Sequence, residues 1–153
     1  MKLSTKGRYA VTAILDMTLS GGDEPVNLSD VAQRQGISLA YLEQLFSKLK
    51  RGGIVESIRG PGGGYRLVRP PEALSVAEVI EAVGEKIQLS RCGGEANCCE
   101  SGPCLTHYLW SDLDKQLKQM LQARNFADLA GNYEKQAELD SWQKVTATAG
   151  KES

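Results

Sequence analysis

Between residues 59 and 64 the chain reads Arg-Gly-Pro-Gly-Gly-Gly, a run that no helix can contain and that a tight chain reversal uses well. Ile54-Val-Glu-Ser-Ile precedes it and Tyr65-Arg-Leu-Val follows, so strand, glycine turn and strand predict a β-hairpin. Just upstream, Asn27 is placed to cap a short helix, Leu28–Gln35, that stops at Gly36. Ser38 then opens a helix over Leu39–Arg51, ended by Gly52-Gly53. Its Leu42, Leu45, Phe46 and Leu49 fall at i, i+3, i+4 and i+7, which is core packing and leaves the opposite face for other work. Two helices joined at Gly36-Ile37 and followed at once by a hairpin predict a winged helix-turn-helix.

The flanking segments complete a mainly α fold with a small β-hairpin wing. An apolar stripe of Tyr9, Ala10, Ala13, Ile14 and Met17 predicts a first helix over Lys6–Ser20, with Ser4 or Thr5 as its cap and Gly21-Gly22 after it. Pro70-Pro71 closes the winged unit, and the S-x-x-E spacing of Ser75 and Glu78 starts a helix to about Val83. Residues 90–104, rich in Gly and Cys, read as a loop. From Leu105 to about Arg124 a long helix carries Leu105, Leu109, Leu113, Leu117 and Leu121 at i+4 spacing, widened by Trp110 and Met120. Asn125 caps a short helix, Phe126–Ala130, and beyond Gly131 the polar pattern reads as a marginal or disordered tail. The organisation expected is a DNA-binding unit at 1–71, a connecting helix at 72–91, a metal-binding loop at 92–104, a dimerisation helix with its short successor at 105–130, and the tail at 131–153. The first three helices and the wing make a core of their own, so the long apolar helix is best used in pairing with a second copy, as a homodimer on two DNA half-sites.

Charge supports this division. Residues 1–70 carry 10 Lys and Arg against 6 Asp and Glu, a net of +4, while the remainder carries 8 against 13, a net of −5. A basic front and an acidic back suit a nucleic-acid reader whose second half has another task. No apolar stretch is long enough to span a membrane and the N-terminus lacks a secretory apolar core, so a cytoplasmic protein is expected.

All four cysteines and the single histidine lie between residues 92 and 107, spaced Cys92-x5-Cys98-x5-Cys104-x2-His107 with an additional Cys99. Reduced thiols clustered in a polar, glycine-rich segment point to metal binding, not to a buried apolar role or a disulfide framework. Thiolates and imidazole suit zinc or an iron–sulfur cluster, and the residues by themselves leave both open. Thiol redox chemistry at the adjacent Cys98 and Cys99 is disfavoured, because neighbouring cysteines form strained disulfides. An enzyme is not expected either: there is one His without a general-base partner, and no Lys-Ser/Thr follows the glycine run as a phosphate loop requires.

On the predicted reading helix, Ser38, Tyr41, Glu43, Gln44, Ser47, Lys48 and Lys50 are available to DNA. Gln pairs bidentately with adenine, Glu accepts from the cytosine amine, and Ser or Lys holds phosphates. Arg59, Gly60 and Pro61 form a slender cationic tip suited to a narrow minor groove. Thr5 and Lys6 are further candidate phosphate contacts.

Four stretches, KGRYAVTAILD at 6–16, QGISLAYLEQLFSKLK at 35–50, SIRGPGGGYRL at 57–67 and the C-x5-C-x5-CLTH segment, resemble the iron–sulfur-sensing members of the bacterial redox-responsive winged-helix regulators. The resemblance covers residues 1 to about 130. It implies a homodimer with one 2Fe–2S cluster per subunit, supplied by the iron–sulfur assembly machinery, with Cys92, Cys98, Cys104 and His107 as ligands. It also implies DNA contacts at Ser38, Tyr41, Glu43, Gln44 and Arg59, and control of cluster-biogenesis genes. A zinc-stabilised or nitric-oxide-sensing repressor is the alternative, and His107 in the CLTH context favours the cluster regulator. Glu43 repels phosphate unless a cytosine amine meets it, so it can select between two classes of site. Two departures stand out: Cys99 is an extra thiol, and Ala40 occupies a position where Ser is familiar, removing one phosphate hydrogen bond.

Overall fold

The computed structural model describes residues 4–20, 23–89 and 102–149, with side chains as far as Trp142. In chain order the elements are α1 (Thr5–Ser20), α2 (Leu28–Gln35), α3 (Leu39–Arg51), β1 (Val55–Ile58), β2 (Gly64–Leu67), a 3-10 turn (Pro71–Ala73), α4 (Val76–Ala82), α5 (His107–Ala123) and α6 (Phe126–Ala149). β1 and β2 form an antiparallel hairpin in which Val55 faces Leu67 and Ile58 faces Gly64.

Local chemistry explains the boundaries. The Asn27 side chain accepts from the Ser29 amide at 2.9 Å, satisfying an N-terminal donor of α2. Gly36 ends α2 in the left-handed conformation, φ 64°, which turns the chain into α3. Ser38 caps α3, and Ser75 with Glu78 forms a reciprocal capping box on α4. The core gathers Ala10, Ile14 and Met17 of α1, Val31 of α2, and the Leu42, Leu45, Phe46 and Leu49 face of α3. Leu74, the α4 residues Val76, Val79 and Ile80, and Phe126 complete it.

A buried polar knot ties α1 to the end of α2. The Asp16 carboxylate accepts from Arg34 (Nη2 2.6 Å, Nε 3.1 Å), from Gln35 Nε2 at 2.7 Å and from Ser20 Oγ at 3.3 Å. Burial raises its pKa, but the hydrogen bonds and charge of Arg34, with those of Gln35 and Ser20, outweigh this and leave it below the ordinary value. The folded carboxylate binds its proton less readily than the unfolded one. Its stabilisation is therefore complete above the unfolded pKa of about 4 and is lost as pH falls through the lower folded value. Asp16→Asn is expected to lower stability at pH 7 by about 1.5–3 kcal/mol, with the gap to wild type closing as pH approaches 3. Urea midpoints at pH 7 and pH 3 check this, and a gap independent of pH would refute it.

Two expectations need correction. The long helix begins at His107, not Leu105, which stands fully exposed in the preceding turn. The short helix expected to stop at Ala130, with an unstructured polar tail after it, is instead the start of one 24-residue helix running to Ala149. Residues 132–149 contain no Pro or Gly and are rich in Ala, Glu, Lys and Gln. Helix propensity therefore carries the segment although it has no apolar stripe to betray it.

Candidate DNA interface and metal centre

α3 buries Leu42, Leu45, Phe46 and Leu49 and turns Ser38, Ala40, Glu43, Gln44, Ser47 and Lys50 outward. Lys48 is half-buried. Tyr41 is also half-buried, its ring edge-on to Tyr9 of α1 at 5.8 Å between centroids, so its packing is shared between two helices. Ser38 Oγ accepts from the Tyr41 amide at 3.4 Å. Of the α3 residues expected to meet DNA, Ser38, Glu43 and Gln44 are exposed at its N-terminal half, while Tyr41 and, further along, Lys48 are half-buried.

The wing is held beside that face by three contacts. Tyr65 of β2 packs edge-on against Phe46 at 5.1 Å. The same Tyr65 exchanges backbone hydrogen bonds with Val26, at 2.7 and 2.9 Å. Lys50 Nζ donates to Ser57 Oγ of β1 at 2.8 Å, linking the end of the reading helix to the hairpin. Arg66 and Glu56 pair across the strands. At the tip, Arg59, Gly60 and Pro61 are exposed, and the turn closes through Gly63 N–H donating to the Gly60 carbonyl at 2.9 Å. Thr5 is exposed and Lys6 half-buried at the start of α1. The arrangement can present cations and amide side chains to a duplex from two adjacent elements.

Of the expected metal ligands, Cys92 and Cys98 lie outside the described residues, as does Cys99. Cys104 and His107 lie within them. His107 is the first residue of α5, is 6% exposed, and its amide donates to the Cys104 carbonyl at 3.1 Å. A thiol and an imidazole therefore stand one turn apart, the imidazole buried beside Tyr108. This half of the donor set fits a soft-metal or iron–sulfur centre and does not suit an oxygen-seeking cation. Trp110, one turn of residues further, donates its indole N–H to Thr106 Oγ1 at 2.8 Å.

Reasoning from sequence missed Tyr9 as the partner of Tyr41, Tyr65 as the anchor of the wing, and Lys50 as its strut. Tyr9 and Tyr65 carried only their apolar periodicity as a signal, and Lys50 only its charge.

Taken together, the helix-turn-helix, the docked hairpin and the exposed face of α3 define a winged-helix DNA-binding regulator. Residues 3–132 match the Rrf2 family, described as iron-dependent transcriptional regulators, and the chain belongs to that family. It is 55% identical over 129 residues to an HTH-type transcriptional regulator, ORF2, of Azotobacter vinelandii, spanning 84% of this chain and 79% of the relative. It is 50% identical over 132 residues to the HTH-type transcriptional regulator IscR of Yersinia pestis, spanning 86% and 80%. Among solved structures it is similar to T. potens IscR, with a TM-score of 0.72 at 32% identity over 88% of this chain and 90% of that one. It is also similar to CymR, the global cysteine regulator of B. subtilis, with a TM-score of 0.75 at 32% identity over 86% and 98%. These relatives are transcription regulators, not enzymes. Among the described residues no helix is long and apolar enough to cross a membrane.

Proposed function

We propose that this chain is a cytoplasmic, iron–sulfur-sensing transcription regulator that reads pseudo-palindromic DNA as a homodimer and controls cluster-biogenesis genes. The observation that carries the reading is His107: a buried imidazole at the first residue of α5, one turn from Cys104, at the end of a segment that holds every cysteine in the chain. Similarity to proteins named IscR and membership of an iron-dependent family support the same reading. Cys92, Cys98, Cys104 and His107 would hold one 2Fe–2S cluster per subunit, received from the assembly machinery. When bound, such a cluster would supply a crosslink between the ends of the 92–107 segment, present in proportion to the supply of clusters by mass action.

Ser38, Tyr41, Glu43, Gln44 and Lys48 would meet the major groove, with Arg59, Gly60 and Pro61 in the adjacent minor groove and Thr5 and Lys6 on phosphates. Glu43 would discourage sites without a cytosine amine opposite it. The dimer is supported by α5, where Leu109, Trp110, Leu113 and Met120 share one side of the helix and are all exposed. Leu121, by contrast, packs on the core. An exposed apolar stripe of this kind fits a second copy of the same helix.

The test is anaerobic purification followed by a visible spectrum and DNA affinity at fixed salt, with and without the cluster. Wild type is expected to be coloured and to change its affinity for at least one class of site on loading; His107→Ala is expected to lose the colour and the change together. A colourless protein holding stoichiometric zinc would overturn the cluster reading in favour of a zinc-stabilised repressor.

A further inference from the structure

The chain that leaves α4 is fastened at both ends by carboxylates the DNA-binding surface does not use. At the first end, Glu85 is 9% exposed and its carboxylate reaches the start of α1, 78 to 81 residues away in sequence. It accepts from the Ser4 amide at 2.8 Å, the Gly7 amide at 2.8 Å and the Ser4 hydroxyl. At the other end, the Leu89 amide donates to Asp114 Oδ1 of α5 at 2.5 Å. Residues 85–89 are thus a strap from the helix that begins at His107 to the first turn of α1. Two residues beyond Gly7, Tyr9 packs against Tyr41 in the first turn of the reading helix.

We propose that Glu85 is a positioning residue for DNA reading, and that its strap carries the state of the Cys92–His107 segment to α3. The second clause rests on the function proposed above. The physical basis is that a buried carboxylate with three donors holds α1 in one place. Orphan amides at a helix N-terminus bind a carboxylate strongly, both through the charged hydrogen bonds and through the helix dipole. α1 cannot shift at its N-terminus without breaking those bonds, and Tyr41 cannot keep its edge-on packing if Tyr9 moves. The strap ends at Leu89, three residues before Cys92 in sequence, and is held at Asp114 and at Glu85, so it is the covalent and hydrogen-bonded route from that end of the chain to α1. This is one contiguous set of packed and hydrogen-bonded groups, of the kind whose substitution alters coupling between sites.

The experiment compares wild type, Glu85→Gln, Ser4→Ala and, as a surface control on α6, Glu134→Gln. For each, the visible spectrum and the DNA affinity of the cluster-free and reconstituted chains are measured at one salt concentration. Wild type and the control are expected to change affinity about fivefold or more on loading. Glu85→Gln is expected to load the same chromophore, to bind DNA about fivefold more weakly without it, and to bring the loaded-to-free ratio within about twofold of unity. Ser4→Ala, which keeps both backbone donors and serves if Glu85→Gln does not fold, is expected to fall between. An unchanged ratio in both variants would overturn the proposal, even if both bind more weakly, because a merely structural cap would weaken the two states alike. If no chain takes up a cluster, the function proposed above fails and the strap's signalling role with it. The positioning role then requires Glu85→Gln to weaken cluster-free DNA binding at matched fractions folded, and equal affinities there would overturn it.

Discussion

Truncation of Phe46 to alanine is expected to destabilise the protein by about 3–5 kcal/mol and to abolish DNA binding at temperatures where wild type is folded. Phe46 is wholly buried on the core face of α3 and touches Tyr65 of the wing edge-on at 5.1 Å. The lost ring removes apolar burial and leaves a cavity where the reading helix packs on the hairpin. It also strips Tyr65 of an aromatic partner worth about 0.5–1.5 kcal/mol beyond its buried area. Because a domain is stable by only about 5–15 kcal/mol, the change consumes a large share of the total. Thermal unfolding followed by circular dichroism reads the loss. A melting temperature within a few degrees of wild type would mean that the α3–wing junction is not where the winged unit is held together. Phe46→Leu, which keeps most of the volume, separates packing from the ring contact and is expected to cost markedly less.

The second large effect is expected at Gly63. A Cβ placed there would stand 2.3 Å from the Ile58 carbonyl oxygen and 2.8 Å from that of Gly60. Both are backbone atoms of the turn itself, so no side chain can swing aside to make room. Gly63→Ala must open the turn, disrupting its 2.9 Å hydrogen bond to the Gly60 carbonyl and displacing the backbone of the tip that carries Arg59. The expected loss is about 1–3 kcal/mol of stability, with a larger fall in DNA affinity than Gly62→Ala produces. Gly62 has φ 75° but open space around its Cβ, so alanine there meets only left-handed strain of about 1–2 kcal/mol. Competition binding on one operator fragment, at matched fractions folded, compares the two. Equal affinities would show that the wing's exact course does not matter to DNA.

The parts of this fold legible in the sequence are those decided by neighbours along the chain. Asn27, Ser38 and the Ser75–Glu78 pair cap their helices because a side-chain oxygen two or three residues from an orphan amide satisfies it locally. The Leu42–Leu49 stripe and the glycine-rich hairpin likewise follow from periods and turn chemistry that span fewer than ten residues. The outward face of α3 could be read off by subtraction from its buried one. The continuation of α6 past Gly131 escaped because its few apolar residues follow no helical stripe, so it has propensity but no pattern.

Pairings between distant residues emerge only in the folded chain: Asp16 with Arg34 and Gln35, Phe46 with Tyr65, Tyr9 with Tyr41, and Glu85 with Ser4 and Gly7. The leucine stripe of α5 also divided there, with Leu121 given to the core and Leu109 and Leu113 left outward. A stripe states that a face is apolar, and only the packed chain states what lies against it. A winged DNA reader followed by a thiol and imidazole segment is legible from residue order, since each part is encoded within its own stretch. How the two are joined depends on carboxylates and rings whose partners lie 18 to 81 residues away, at distances where loop closure and packing, not local preference, choose the neighbour.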